Sequence, residues 1–203
     1  MKWIVAIAVF LTLLPTAHSQ REQPALPAQS ADSHSAAYRS AQRKLNEIAE
    51  NGRLAKPQPK TTVLTADEIN AYLAEGGVAL PDGVRRVRFS SVPSVVTAAA
   101  QIDFDRLTAS RKISNPWMAM LFTGVHDVSV EAQASGGNGI GSVHIESVAI
   151  DGVTVPRTAM QFLVDYYLRP KYGPNVGLDS RFPLPAHIDA AVVGNNQVAV
   201  TQR

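Results

Sequence analysis

Cysteine is absent from these 203 residues. That excludes disulfides, thiolate metal sites, a cysteine nucleophile and a lipid-modified cysteine as an anchor. An excess of one charge is lacking too. Lysine and arginine together number 19 and aspartate and glutamate 17, a net charge of +2, too even a balance to call for nucleic acid or an acidic polymer as partner. Catalytic signatures are also missing. No Gly-x-Ser-x-Gly elbow occurs. Gly137-Asn138-Gly139-Ile140-Gly141 looks like a phosphate loop but precedes a strand, so it offers no helix N-terminus to an anion. His126, His144 and His187 are dispersed without metal-ligand spacing. His126 shares parity with the inward residues of its strand, whereas His144 faces outward. Asp103 and Asp105 could reach one cation from a single strand face, but a solvated face accounts for them. No nucleophile, base and orienting group can be assembled, so the chain reads as a non-enzyme with no cofactor and no metal.

What is present begins with an export signal. Lys2 supplies a positive start, Trp3 to Leu14 is an apolar run interrupted by Thr12 alone, and Ala17-His18-Ser19 offers small residues at a cleavage site. Residues 1–19 are therefore expected to be a signal peptide, with an uncleaved anchor as the alternative. The run is short for a membrane span, and either reading puts the body of the protein outside the cytoplasm, in the periplasm or extracytoplasmic envelope. Residues 20–60 read as a flexible tether rich in Pro, Ala, Gln and Ser. It carries one amphipathic helix at 36–51, with Tyr38, Ala41, Leu45 and Ile48 on one stripe. Packing of that helix on the domain is one reading, contact with a membrane surface the other. Residues 61–203 read as a single α+β domain.

Within that domain Thr65-Ala66-Asp67-Glu68 is a capping box, and Ile69, Tyr72 and Leu73 form the apolar side of the helix it opens. Strand patterns follow. Val87 and Phe89 oppose Arg86 and Arg88. Val96, Ala98, Ala100, Ile102 and Phe104 alternate with polar or small residues, as do Val128, Val130, Ala132 and Ala134. Gly136-Gly137-Asn138-Gly139 marks a hairpin, and a phase shift at Ser147 predicts a bulge. Gly194-Asn195-Asn196 marks a second hairpin. The basic residues Arg85, Arg86, Arg88, Arg106, Arg111 and Lys112 fall close together, as solvated surface or as a contact for anionic headgroups.

Two apolar stretches stand out. Ile150-Asp151-Gly152-Val153-Thr154-Val155-Pro156 reads as a turn and short strand leading into a helix from Arg157 to Leu168, apolar nearly all round and stopped by Pro170. Trp117-Met118-Ala119-Met120-Leu121-Phe122 follows no alternation. It is expected either to fill the core or to form an apolar lip that meets lipid.

The order of elements resembles a family. Thr62-Val63-Leu64-Thr65-Ala66-Asp67-Glu68-Ile69-Asn70-Ala71-Tyr72-Leu73, the run from Ile150 to Pro156 with its following helix, and Phe182-Pro183-Leu184-Pro185 before two short strands are similar to small bacterial envelope proteins of the tubular lipid-binding (TULIP-like) class. The resemblance spans Thr61 to Thr201. It implies a highly curved antiparallel sheet wrapped around a long apolar helix, with a short N-terminal helical segment, and a groove for lipid chains. The expected function is non-catalytic binding of a lipid or other apolar ligand in the bacterial cell envelope. The expected lipid-binding residues are Trp117, Met118, Met120, Leu121, Phe122, Phe162, Leu163 and Tyr166. The alternative is a structural or accessory envelope protein whose groove is filled by its own helix. Membrane-surface contact is a further expectation, nucleic acid is not expected, and no protein partner can be named.

Overall fold

A computed structural model describes residues 34–108, 123–165, 169 and 177–203. The expected leader, residues 20–33 of the tether, and Trp117 to Phe122 lie outside the described residues. Helix α1 (Ala36–Asn51) opens the described chain. It is followed by β1 (Lys60–Thr65), α2 (Ala66–Ala74), β2 (Val84–Val92), β3 (Val95–Asp103) and α3 (Phe104–Thr108). Then come β4 (Val125–Gly137), β5 (Ile140–Ile150), β6 (Val153–Thr154), α4 (Arg157–Leu163), β7 (Asp179–Pro183), β8 (Ile188–Gly194) and β9 (Gln197–Gln202).

The nine described strands form one antiparallel sheet in the order β1-β9-β8-β4-β3-β2, with β5 on the other edge of β4 and β6 and β7 beside β5. Long strand β4 carries the architecture. Val125 to Gln133 pair with β3. Beyond them β4 touches β8 at Gly136 and Ala191, so the β8–β9–β1 part of the sheet grows from its far end. A Cβ on Gly136 would come within 3.1 Å of Ala191, and one on Gly141, its partner on β5, within 2.7 Å of the Phe182 ring. The two glycines let Phe182 and Leu184 lie against the sheet. The turn between β4 and β5 is Asn138-Gly139, both with positive φ (53° and 73°), as a two-residue hairpin demands. The bulge falls in β5, where Ser147 pairs with Glu131 and Ile145 with Ala132; Glu146 is the extra residue, one position from Ser147.

The expected sheet wrapped around a long apolar helix is not what forms. The longest described helix is α1, with Tyr38, Ala41, Leu45, Ile48 and Ala49 buried. Among the described residues the stretch from Arg157 gives the seven-residue α4 followed by a π turn at Val164 and Asp165, and the Val164 N–H donates to both Met160 and Gln161 carbonyls. The reason lies in what covers the sheet. The first core is already closed by α1 and α2: Leu45, Ile48, Ile69 and Leu73 pack with Leu64, Phe89, Val96, Ala132 and Val198. Only the far end is left to α4, whose Met160 and Val164 join Phe104, Ile150, Val155 and Leu178 in a second, smaller core. Phe104 is buried as expected, but as the first residue of α3 rather than in the strand. No described helix is long and apolar enough to cross a membrane.

Polar contacts lock the first core. Thr65 and Glu68 form the expected capping box. Glu68 also receives the Lys44 ammonium at 2.7 Å and the Ser40 hydroxyl at 2.6 Å. Burial pushes its carboxyl pKa up, but the bonds from Lys44, Ser40 and Thr65 outweigh that and hold it below the usual value. Gln202, 1% exposed, donates to the carbonyls of Ile48 and Ala186 and accepts from Asn51, tying the last strand to the end of α1. Asn70 of α2 accepts from the Phe89 N–H and donates to the Phe89 carbonyl, as a neighbouring strand would.

Candidate functional site

The inner face of β2–β5 connects the two cores. Phe89, Ala98, Val130 and Val148 form one cross-strand row, Ala100, Val128 and Ile150 the next, and Ile102 and His126 the last. This is the face the period-two pattern selects, and the side chains are almost all apolar. Burial changes along it. Val96 and Ala132 are buried at the first core, and Ile150 at the second. Between them Ala98, Ala100, Val128, Val130 and Val148 are only half-buried. Among the described residues, small alanines on β3 beside branched residues on β4 and β5 leave a shallow apolar strip.

Of the residues expected to bind lipid, Trp117, Met118, Met120, Leu121, Phe122 and Tyr166 lie outside the described residues. Leu163 ends α4, and its side chain also lies outside them. Phe162 is 38% exposed and so is not the anchor that burial against the sheet would make it. The buried face of α4 is Met160 and Val164, four residues apart and one turn along the helix. That spacing was legible; a helix apolar on most sides hid which stripe would win.

His126 closes the strip at its outer end. Its Nδ1 lies 2.6 Å from the Asp151 carboxylate and its Nε2 2.6 Å from the Thr123 carbonyl. Both partners accept, and a neutral imidazole can donate to only one. The bond to Asp151 and then that to Thr123 raise the ring's pKa, so the cation is the form that satisfies both. Both ring nitrogens are engaged in these bonds. Asp151 also accepts from the Asp127 N–H at 2.9 Å, which fixes the β5–β6 turn, where Asp151 and Gly152 have positive φ.

A polar groove of about 740 Å³ lies on the outer face of β4, β5 and β7, lined by Gln133, Ser135, Ser142, His144, Asp179 and Arg181. His144 bonds Asp179, which Arg157 approaches at 3.5 Å. The two serine hydroxyls bond each other at 2.8 Å, not the His144 ring, so no activated nucleophile is built there. Asp103 caps α3 through the Arg106 N–H, and Asp105 accepts from the Gly124 N–H; each works alone, not as a chelating pair. Among the described residues no three His, Asp or Glu side chains are grouped to hold a metal ion. No family model matches this chain, and comparison with curated proteins and with solved structures returns no match, so the chain's own chemistry carries its functional reading.

Proposed function

We propose that this chain is a non-catalytic protein of the bacterial cell envelope that binds a lipid acyl chain or a similar apolar ligand along the inner face of β3–β5. One observation carries the reading: Ala98, Ala100 and Val130 are half-buried on the inner face, beside Val128 and Val148, which are half-buried against the second core. Apolar area left partly in water gains about 25 cal/mol per Å² when a ligand covers it. A slender hydrocarbon suits a strip whose floor is alanine. The leader-like Met1 to Ser19 supports export, and the resemblance of Thr61 to Thr201 to the TULIP-like class supports the ligand class. The competing reading is an accessory protein that takes no ligand. It draws on Met160 and Val164, by which the chain's own helix α4 packs on the second core.

The test is organic extraction and mass spectrometry of the full chain recovered from its native envelope, followed by titration with a neutral apolar fluorophore. Lipid at near-stoichiometric yield and saturable uptake are expected. Ala100→Phe, which fills the strip, is expected to abolish uptake without unfolding the domain. A chain that carries no lipid, takes up no fluorophore and is indifferent to Ala100→Phe fits the accessory role instead.

A further inference from the structure

The outer face of the same strands holds a smaller groove, about 290 Å³, walled by Arg86 and Arg88 on one side and by Asp127 and Ser129 on the other, with Gln101 between them. Its form starts in the backbone of β2. Arg85 pairs with Gln101 and Arg88 with Ala99, so β2 carries one residue more than β3 over this span. Arg86 takes a positive φ of 52° there, a left-handed conformation that costs a non-glycine residue free energy. Bulges of this kind re-aim side chains. Here the outcome is that Arg85, Arg86 and Arg88 are all exposed, where strict alternation would have turned one of the first two inward.

Three guanidiniums held that close repel one another unless an anion joins them. Arg106, Arg157, Arg169 and Arg203 each have a carboxylate partner. Among the described residues no carboxylate pairs with Arg85, Arg86 or Arg88. Asp127, on β4 two strands from β2, makes no ion pair with any of the three.

We propose that this outer groove is a binding site for a phosphate group. The Arg86 and Arg88 guanidiniums take its oxygens in the forked geometry that favours arginine for phosphate. The Gln101 amide and the Ser129 hydroxyl supply neutral donors on the floor and far wall. Asp127 disfavours a second anion beside the first, which limits the site to one phosphate. This site uses a different face and different side chains from the apolar strip and does not depend on it. The phosphate could come from a lipid headgroup or from free phosphate, and the chemistry at the arginines is the same.

The experiment takes the full chain and measures inorganic phosphate by titration calorimetry, and vesicles of phosphatidylglycerol or of phosphatidylcholine by co-sedimentation. Saturable binding is expected, with Arg86→Gln combined with Arg88→Gln weakening it by about tenfold or more, the scale of losing a charge-assisted hydrogen bond. Asp127→Asn is expected to tighten it. Because Asp127→Asn removes a charge rather than a contact, a general loss of folding cannot imitate its effect. Tightening for phosphate alone assigns the site to free phosphate, and tightening for phosphatidylglycerol vesicles assigns it to a headgroup. Uptake of the neutral fluorophore is expected to be unchanged in all these variants. Absence of phosphate and vesicle binding by the parent chain, or binding that neither substitution alters, overturns the proposal.

Discussion

The two ends of the long strands β3, β4 and β5 are built to different standards. At one end α1 and α2 cover the sheet, the core reaches across β1, β8 and β9, and the buried polar side chains Glu68 and Gln202 are each bonded. At the other a seven-residue helix and a two-stranded turn close a core of six buried residues, fastened by the exposed pair His126–Asp151. The strands are continuous, so the difference comes from what lies on them. Among the described residues the first end carries the larger core and the second the lighter cover, and segments of lower local stability are the ones from which binding sites are usually drawn.

The sharpest way to break that comparison is a matched pair of truncations. Ile69, 1% exposed, sits in the first core, and Ile69→Ala should cost about 2–5 kcal/mol. Val128 is half-buried on the strip, and Val128→Ala should cost about 1 kcal/mol, because only part of its area leaves contact. Urea unfolding of both variants reads the difference. Equal losses would mean that the strip is as tightly packed as the core.

Next in size is the latch between the termini of the domain. Gln202→Leu keeps the bulk of the side chain but leaves the half-buried Ala186 carbonyl without its side-chain donor and the buried Ile48 carbonyl with the Gly52 N–H alone. The expected loss is about 1–3 kcal/mol, measured by the same unfolding curves. A loss near zero would show that water replaces the amide there.

These contrasts also separate what was legible in the chain from what was not. Signals confined to one element were read correctly. Thr65 and Glu68 cap α2, Asn138-Gly139 makes the hairpin, and the stripe Tyr38–Ala41–Leu45–Ile48 is buried. Signals that depend on a distant partner were not. Lys44 and Glu68 are 24 residues apart, and Gln202 reaches Ile48 across 154; no local pattern encodes either meeting. The misjudged helix is of the same kind. Apolar residues from Ala159 to Leu168 argued for a central buried element, but α1 and α2 had already taken the larger core, and among the described residues Ala159, Met160 and Val164 pack on the second, smaller one. Of the candidate sites, the inner strip followed from alternation. The closeness of Arg85, Arg86 and Arg88 was legible too, but not the bulge at Arg86 that turns all three outward, because a bulge has no signature in residue type.

The two ends should also answer pH in opposite directions, and acid has the larger effect. Glu68 is held below its ordinary pKa of 4.5 in the folded chain. Its contribution is therefore fully present above about pH 4.5 and is lost as pH falls through the lower folded value. Glu68→Gln should destabilise the protein at neutral pH, and the gap from the parent should narrow in acid, as urea midpoints at pH 7 and pH 3 would reveal. A gap of constant size would mean that the charge of Glu68 contributes nothing beyond its hydrogen bonds.

The weakest and most local effect belongs to His126. Its folded pKa is raised above 6.5, chiefly by the bond to Asp151, and Asp151 is correspondingly lowered, chiefly by His126. A raised histidine contributes stability that is fully present below the unfolded value and lost as pH rises through the folded one. The pair is therefore intact only between the lowered Asp151 value and the raised His126 value, and it weakens above that window, where the Glu68 latch is unaffected. Because Asp151 is more than half exposed, solvent screens the pair and the effect should be smaller than any above. Amide exchange at Asp127 and Asp151, whose backbone bonds close the turn beside the ring, is the measurement that isolates it. Protection there should fall as pH rises through the raised His126 value, after correction for intrinsic exchange, while Phe89 and Val198 in the first core keep theirs. His126→Gln, which does not titrate, should remove the pH dependence. If it persists in that variant, the histidine is not what fastens the open end.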